Sequence, residues 1–196
     1  MAATPLADVV AAAVDGGCRW VLIREKDLGS AALKALIQQI RERTHRENPV
    51  VAMSGNARTA ADAGAAGVHF PQRLATAEAI ASARAVLGPD APIGVSAHNS
   101  AEAGTAQEHG ADYVTMSPVY LTDSKPGYGP ALEPGGFRRE IRDLTIPALA
   151  LGGISPGRLA AVKKAGAAGA AVMGSVMRAT DPADAMRRLI AAWHAA

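Results

Sequence analysis

Short apolar runs alternate with amphipathic segments along the whole chain. Most of these runs are apolar on both faces of the pleat, as in parallel strands that are covered by helices. The pattern predicts seven strands, near Arg19–Ile23, Val50–Met53, Val68–Phe70, Ile93–Val95, Tyr113–Met116, Ala148–Leu151 and Ala170–Met173. Because helices and strands alternate, we expect repeated βα units.

The segments between the strands have helical periodicity. They predict helices near Leu6–Asp15, Ala31–Thr44, Arg58–Ala63, Thr76–Leu87, Ala101–His109, Gly135–Asp143, Pro156–Lys164 and Pro182–Ala195. Ser155 and Asp181 each precede a proline, as a capping residue precedes a first-turn proline. Asn99 and Glu102 resemble a capping box.

The residue that introduces each strand alternates along the chain. Glycine introduces four strands and proline introduces the other three, at Gly16, Gly64, Gly110 and Gly166 and at Pro49, Pro92 and Pro147. The period is therefore two βα units, and the proline set lacks a member at the N-terminus. This count favours a single domain over residues 1–196, an α/β (β/α)8 TIM-type barrel that lacks its first strand. The two open edges would expose unpaired backbone groups, which we expect the N-terminal segment or a partner subunit to cover.

Composition excludes several classes of protein. The net charge is +2 and the chain has no basic stripe, so we expect no nucleic-acid partner. No apolar stretch reaches the roughly 20 residues that span a bilayer, and the apolar stretch Val9–Val14 lacks the basic flank of a secretory signal. We therefore expect a cytoplasmic protein without a membrane partner. The single cysteine, Cys18, excludes an internal disulfide and a multi-thiolate metal site.

Basic, hydroxyl and glycine residues follow the strands, and in a parallel barrel all these positions meet at one rim. Arg24 and Lys26 follow the first strand at alternate positions, so both can face one side and bind a phosphate or pyrophosphate. A self-paired charged surface loop is the alternative interpretation. Ser54 and Asn56 follow the second strand and are further candidates for substrate binding.

The segment 118–136 is the longest connection in the chain, and such loops often close over ligands. It carries Thr122, Ser124 and Lys125, which can donate to phosphate oxygens, together with glycines that can act as hinges. A polar surface loop is the alternative here.

Two glycine clusters complete the predicted rim. Gly152 and Gly153 follow the penultimate strand, and Gly174 and Ser175 end the last one. The corresponding loops of α/β barrels often bind phosphate through backbone N–H groups.

The histidines indicate no nucleophilic or zinc site. His69 and His98 lie at strand ends and could transfer protons, although a structural, hydrogen-bonded role is favoured for each. No Ser/His/Asp order or His/Cys cluster stands out, so no metal ligand is predicted.

The chain resembles the thiamine phosphate synthase family, which includes the thiazole tautomerases. The similarity covers essentially the whole chain in order, and these are the matching segments: 23–26, 67–69, 93–96, 111–114, 122–125, 146–154 and 169–173. Members are (β/α)8 barrels whose first strand precedes the first helix. The resemblance thus agrees with the strand count.

The resemblance implies a reaction and a set of site residues. A synthase joins a pyrimidine methyl pyrophosphate to a thiazole phosphate and releases pyrophosphate with the help of magnesium. By position, the phosphate groups would be held by Arg24, Lys26, Ser96, Thr122, Ser124 and Lys125, with the first three nearer the pyrophosphate. Gly152, Gly153 and the backbone near Gly174 and Ser175 would hold the thiazole phosphate.

Two positions depart from the family pattern. Gly55 and Leu74 stand where the synthases carry their magnesium-binding aspartates. A hard divalent cation needs oxygen ligands, so a synthase would need magnesium that these positions cannot bind. The alternative carboxylates are Asp62, Glu25 and Asp123, although none is at a matching position, and Arg73 is the alternative source of positive charge.

These departures leave three functional hypotheses. Synthase chemistry is preferred, because the Arg24–Lys26 motif and Pro118 are synthase-like. A metal-independent thiazole tautomerase is the second, since Gly55 is closer to that branch. The third is a non-catalytic barrel that binds a phosphorylated ligand. For all three we expect small phosphorylated thiazole or pyrimidine ligands, and a homodimer is compatible with the open edges.

Overall fold

The seven predicted strands form one parallel sheet in chain order in the computed structural model. The structure describes residues 4–122, 124, 127 and 129–196. The strands are β1 (Trp20–Ile23), β2 (Val50–Ser54), β3 (Gly67–Phe70), β4 (Ile93–Ala97), β5 (Tyr113–Met116), β6 (Ala148–Leu151) and β7 (Gly169–Ala171). The predicted order and direction of the strands are confirmed.

Helices lie between the strands, as the periodicity predicts. They are α1 (Leu6–Asp15), α2 (Ser30–Arg43), α3 (Ala57–Ala63), α4 (Ala77–Leu87), α5 (Ser100–Glu108), α6 (Glu133–Ile141), α7 (Pro156–Lys164), α8 (Gly174–Met177) and α9 (Pro182–His194). The sequence analysis missed α8 and a 3₁₀ turn over Gln72–Leu74. Both are too short to show helical periodicity. No helix among the described residues has the length and apolar character needed to cross a bilayer.

The sheet curls into an incomplete barrel. Four strand spacings of a flat sheet would separate β1 from β5 by roughly 19 Å. Instead, the rings of Trp20 on β1 and Tyr113 on β5 meet edge-on with centroids 5.3 Å apart. One face of the sheet therefore encloses an interior, and the other packs against the helices.

The helical layer continues past the gap in the strands. The helix α1 packs against α9, and a Cβ atom at Gly16 would lie 2.9 Å from Met186 Cβ. No described strand pairs with the outer edge of β1 or of β7. Trp20 and Leu22 on β1 are 44% and 39% exposed as a result, which agrees with a barrel that lacks one strand.

The core lies between the sheet and the helices. Val51, Val68, Ile93 and Val114 on successive strands are at most 1% exposed. Burying an aliphatic side chain of this size contributes about 1.5–3 kcal/mol. This core holds the strand ends, and therefore the rim residues, in fixed relative positions.

The predicted caps have mixed outcomes. Asp181 accepts a hydrogen bond from the Asp184 backbone N–H at 2.9 Å and caps α9 as predicted. Asn99 caps α5 by accepting from the Glu102 N–H. The Glu102 carboxylate accepts from the His98 backbone N–H and contacts the His98 ring, instead of accepting from the Asn99 N–H as a capping box requires. Ser155 is the N-cap residue of α7 and Pro156 lies in the first turn, as predicted, but the Ser155 side chain makes no capping hydrogen bond. Its backbone carbonyl accepts from the Arg158 N–H instead.

Candidate functional site

Polar side chains meet on the inner face of the sheet near the carboxyl ends of the strands. Residues paired across parallel strands point to the same face. Ser54 pairs with His69, and His69 pairs with Gly94. Gly94 pairs in turn with Tyr113, and two residues further on Ser96 pairs with Thr115. The register therefore gathers the polar groups of β2 to β5 on one inner face.

His69 is the centre of this group. Its Nε2 lies 2.9 Å from Ser96 Oγ and 3.4 Å from Thr115 Oγ1. Its Nδ1 lies 3.2 Å from the Tyr113 hydroxyl. The predicted structural, hydrogen-bonded role of His69 agrees with these contacts.

The electrostatic setting keeps His69 neutral at physiological pH. Burial disfavours the imidazolium and is the main reason that the pKa of His69 falls from 6.5 to about 4. The Arg24 guanidinium lowers this pKa further. This Coulombic effect is consistent with Arg24, which follows β1, facing the polar group around His69.

Gly94 makes room for this arrangement. An added Cβ atom there would lie 2.5 Å from Nδ1 of His69 and still closer to the ring of Tyr113. A side chain at position 94 would therefore separate His69 from Tyr113. The sequence pattern gave no sign of this requirement, since it depends on strands that meet only in the folded sheet.

A second group joins the long loop to α8. The Arg178 Nη1 donates to Ser124 Oγ at 3.2 Å. The same guanidinium lies against Gly174, where an added Cβ atom would be 2.6 Å from both terminal nitrogens. Ser124 and Gly174, predicted separately as phosphate-binding residues, are thus brought together by Arg178. The sequence analysis missed Arg178, because recognising it requires the helix α8 that places it one turn after Gly174.

Gly152 and Gly153 form a close contact with the start of the long loop. Gly152 O accepts from the Tyr120 N–H at 3.1 Å. Gly153 has φ of +61°, and a Cβ atom on it would lie 2.6 Å from the Leu121 carbonyl oxygen. Arg158 lies 4.3 Å from the centre of the Tyr120 ring and donates to Gly153 O at 2.7 Å. These contacts fix the point at which the long loop leaves the barrel.

Other candidates have different surroundings. Asn56 uses its Oδ1 to cap α3, accepting from the N–H groups of Arg58 and Thr59 at 2.8 and 3.2 Å. Thr122 Oγ1 accepts from the Ser124 N–H at 3.3 Å. The Ser175 side chain lines a cavity of about 360 Å³ that also borders Asp181, Asp184 and Arg188, so only its backbone N–H is a candidate for phosphate binding.

Two predicted loop residues have no described placement, and the basic residues after β1 are exposed. Lys26 lies on the surface after β1. Lys125, predicted as a phosphate ligand, and Asp123, considered as a metal ligand, lie outside the described residues.

The residues at the family's metal positions do not fit magnesium. Gly55 offers no side chain, and Leu74 is apolar and 41% exposed. Asp62 lies in the last turn of α3, about 7 Å along the helix axis from its start beside the rim. Within the described part of the chain, no three His, Cys, Asp or Glu residues are grouped as metal ligands.

His98 and Cys18 have local structural contacts. His98 Nδ1 lies 2.8 Å from Glu102 Oε2. The Cys18 thiol donates to the Trp20 carbonyl at 3.2 Å, and burial raises the pKa of this thiol. A raised pKa lowers the thiolate fraction and so disfavours nucleophilic chemistry at Cys18.

Comparisons with known proteins identify the family of this chain. The family model described as thiamine monophosphate synthase matches residues 1–176. The chain belongs to the thiamine monophosphate synthase family. A putative thiamine-phosphate synthase of Geobacter sulfurreducens is 37% identical over 183 residues, which are 93% of this chain and 84% of that protein.

A second relative and a solved structure extend this family assignment. A bifunctional thiamine biosynthesis protein of Symbiobacterium thermophilum is 39% identical over 96% of this chain, and the chain spans 38% of that longer protein. The structure of thiamine phosphate pyrophosphorylase from Pyrococcus furiosus has a TM-score of 0.83 and 26% identity, covering 98% of this chain and 91% of that one. The predicted family and barrel fold are confirmed. The family model and the relative of Geobacter sulfurreducens carry the synthase name, which supports synthase chemistry over the tautomerase and the non-catalytic hypotheses.

Proposed function

We propose that this chain joins a thiazole phosphate to a pyrimidine methyl pyrophosphate and releases pyrophosphate, as a thiamine-phosphate synthase does. The observation that carries the proposal is the family match over residues 1–176. The polar group around His69 and the Arg178–Ser124 contact support it, because both lie where an α/β barrel keeps its chemistry.

The reaction breaks one bond and forms one. The bond between the pyrimidine methylene carbon and a pyrophosphate oxygen breaks, and its electron pair leaves with the pyrophosphate. The lone pair of the thiazole nitrogen then forms the new bond to the methylene carbon, and the positive charge moves to the thiazole ring. The protein must stabilise negative charge on the leaving group and align the two substrates.

The basic side chains are proposed to stabilise the leaving group. Arg24 and Lys26 follow β1, and Ser96 lies on β4 beside His69. We assign these three to the pyrophosphate. Charge-assisted hydrogen bonds of this kind contribute about 1.5–3 kcal/mol each.

The second phosphate group is assigned to the opposite part of the rim. Gly152 and Gly153 after β6 and Gly174 and Ser175 after β7 would offer backbone N–H groups to the thiazole phosphate. Thr122, Ser124 and Lys125 of the long loop would close over the phosphates. Arg178 joins this set, because its guanidinium already contacts Ser124.

The metal requirement is where this chain departs from its family. Synthases of this family are generally magnesium-dependent, and Gly55 and Leu74 offer no carboxylate for the ion. We propose that Arg24 and Lys26, with Arg73 on the exposed 3₁₀ turn, supply the positive charge at this part of the rim. The expected consequence is turnover that depends weakly on added magnesium.

Assays of the purified protein with both substrates test the proposal. We expect thiamine phosphate to form with magnesium and to persist when the ion is chelated. Arg24→Gln should reduce turnover strongly, whereas Arg187→Gln, an exposed change on α9, should not. Isomerisation of a thiazole substrate without condensation would assign the chain to tautomerase chemistry. Ligand binding with neither reaction would assign it to a non-catalytic role.

The oligomeric state stays a prediction. The unpaired edges of β1 and β7 and the exposed Trp20 and Leu22 favour a covering partner. A homodimer is the expected arrangement, and multi-angle light scattering measures the mass directly.

A further inference from the structure

Tyr113, His69 and Ser96 form a chain of hydrogen bonds across the barrel interior. The Tyr113 hydroxyl lies 3.2 Å from Nδ1 of His69, and Nε2 of the same ring lies 2.9 Å from Ser96 Oγ. Tyr113 and His69 are 6% and 3% exposed, whereas Ser96 is half-buried. These hydrogen bonds therefore connect two buried side chains to the Ser96 hydroxyl, which a ligand can reach.

The direction of the first hydrogen bond follows from the acceptors available. The Tyr113 hydroxyl is buried, so its proton needs an acceptor. The Trp20 ring meets the Tyr113 ring edge-on but offers no acceptor, because an indole N–H can only donate. Among the described residues, Nδ1 of His69 is the acceptor within reach.

The direction of the second bond follows from the first. A neutral imidazole has one N–H group and one acceptor nitrogen. If Nδ1 accepts from Tyr113, then Nε2 carries the proton and donates to Ser96 at 2.9 Å. The more distant Thr115, at 3.4 Å, is near the limit of a hydrogen bond. Burial, which lowers the pKa of His69 to about 4, keeps the ring neutral near pH 7.

We infer that Tyr113 is a positioning residue that fixes His69 as the Nε2–H tautomer, so that Ser96 presents its hydroxyl proton to the ligand. The Ser96 oxygen is occupied as an acceptor from His69, and its proton can turn to an acceptor in the barrel mouth. The identification of this acceptor as a pyrophosphate oxygen rests on the proposed function. The assignment of the His69 tautomer does not depend on the proposed function.

Nitrogen NMR of the histidine rings tests the tautomer. With ¹⁵N-histidine labelling, His69 is identified by the signal that disappears in His69→Asn. We expect the wild-type protein to show an unprotonated Nδ1 and a protonated Nε2 at neutral pH. A protonated Nδ1 would overturn the inference.

Two single variants test the role of Tyr113 in that assignment. Tyr113→Phe keeps the ring in place but removes the proton donor, so the two tautomers should become mixed. Thr115→Val is the matched control, because it removes the longer contact to Nε2 and should leave the tautomer unchanged. Retention of the wild-type tautomer in Tyr113→Phe would overturn the role of Tyr113. If Tyr113→Phe fails to fold, the wild-type spectrum still decides the tautomer.

Calorimetric titration with inorganic pyrophosphate tests the link to Ser96. Ser96→Ala should weaken binding about tenfold or more, the loss expected for one hydrogen bond to a charged group. Tyr113→Phe should weaken binding less, because Ser96 then donates only part of the time. The double variant should bind like Ser96→Ala alone, since Tyr113 acts through Ser96. Additive losses would contradict the inference.

The proposed function and this inference can fail separately. A protein that shows the Nε2–H tautomer and the pyrophosphate result but forms no thiamine phosphate would refute the synthase proposal alone. A protein that forms thiamine phosphate but carries the other tautomer would refute only the role of Tyr113.

Discussion

The guanidinium of Arg178 lies 3.2 Å from the hydroxyl oxygen of Ser124, 54 residues earlier in the chain. Arg178 follows the short helix α8, and Ser124 belongs to the long loop after β5. The contact spans two predicted phosphate-binding segments and adds a cation between them. The position of Arg178 is possible because Gly174 has no side chain to displace the guanidinium.

Arg178→Ala should weaken binding of the thiazole phosphate about tenfold or more, because a charge-assisted contact is lost. Arg178→Lys should recover part of the loss through its charge but not the forked geometry. Isothermal titration calorimetry with the thiazole phosphate measures both affinities. Arg187→Ala on the exposed face of α9 is the control, and equal losses in both variants would remove Arg178 from the site.

Arg24→Gln should raise the pKa of His69. The Arg24 charge disfavours the imidazolium, so its removal stabilises the protonated ring. The pKa should rise above about 4 and remain below 6.5, since burial is the larger cause of the shift. An NMR titration of the His69 ring measures this value, and an unchanged pKa would show that Arg24 points away from His69.

The stability of the folded protein should depend on His69 at acidic pH. An unfolded histidine binds its proton near pH 6.5, whereas folded His69 does so only near pH 4. Between these values the unfolded chain binds more protons, so the free energy of unfolding falls as the pH decreases. The contribution is about 3 kcal/mol over this interval.

Urea denaturation at several pH values between 4 and 7 measures this dependence. His69→Asn should lose the corresponding part of the slope whatever its absolute stability. His45→Asn, which removes an exposed histidine after α2, is the control and should keep the wild-type slope. A wild-type slope in His69→Asn would contradict the assignment.

Gly94→Ala should destabilise the fold by about 1–3 kcal/mol, the usual effect of overpacking an interior. The added methyl group would meet Nδ1 of His69 and the ring of Tyr113. Gly104→Ala is a matched control on α5, where an added Cβ atom has open space, and it should increase stability by up to about 1 kcal/mol. Thermal or urea unfolding compares the two, and similar stabilities would show that the interior is loosely packed.

Restoring carboxylates at the family's metal positions should make turnover respond to magnesium. Leu74→Asp replaces an exposed apolar side chain and should cost little stability. Gly55→Asp has open space for its side chain, but its φ of +127° is strained for any residue with a Cβ atom. The double variant should therefore be less stable but more active with magnesium, as steady-state rates with and without the ion would show. No gain with magnesium would indicate that the rim does not place these carboxylates around one ion.

Local pattern was sufficient for most of the fold. The strands β5 and β6 and the helices α1 and α7 have the predicted bounds, because each begins or ends where apolar periodicity meets a glycine, proline or polar cluster. The absence of the first strand could also be predicted, since it follows from the alternation of glycine and proline before the strands. Ser155 takes the predicted cap position of α7, but its backbone carbonyl rather than its hydroxyl makes the local hydrogen bond.

The residues of the candidate site could be predicted only in part from local sequence patterns. The position of Arg24, Ser96 and Gly174 at or after the carboxyl ends of their strands indicated an anion-binding rim. Asn56 is predicted to bind substrate, and its Oδ1 caps α3 in the structure, so its role towards a substrate stays a prediction. A local pattern does not distinguish these roles, since the same residue type serves both purposes.

The sequence by itself determined which segments are strands and helices, the parallel order of the sheet and the family to which the chain belongs. These follow from the periodicity of side chains along short segments and from motifs in chain order. Only the tertiary structure decided that Tyr113 forms a hydrogen bond with His69 and that Arg178 contacts Ser124. Both pairs join residues more than 40 positions apart, and the curl of the sheet and the packing of α8 set the distances between them.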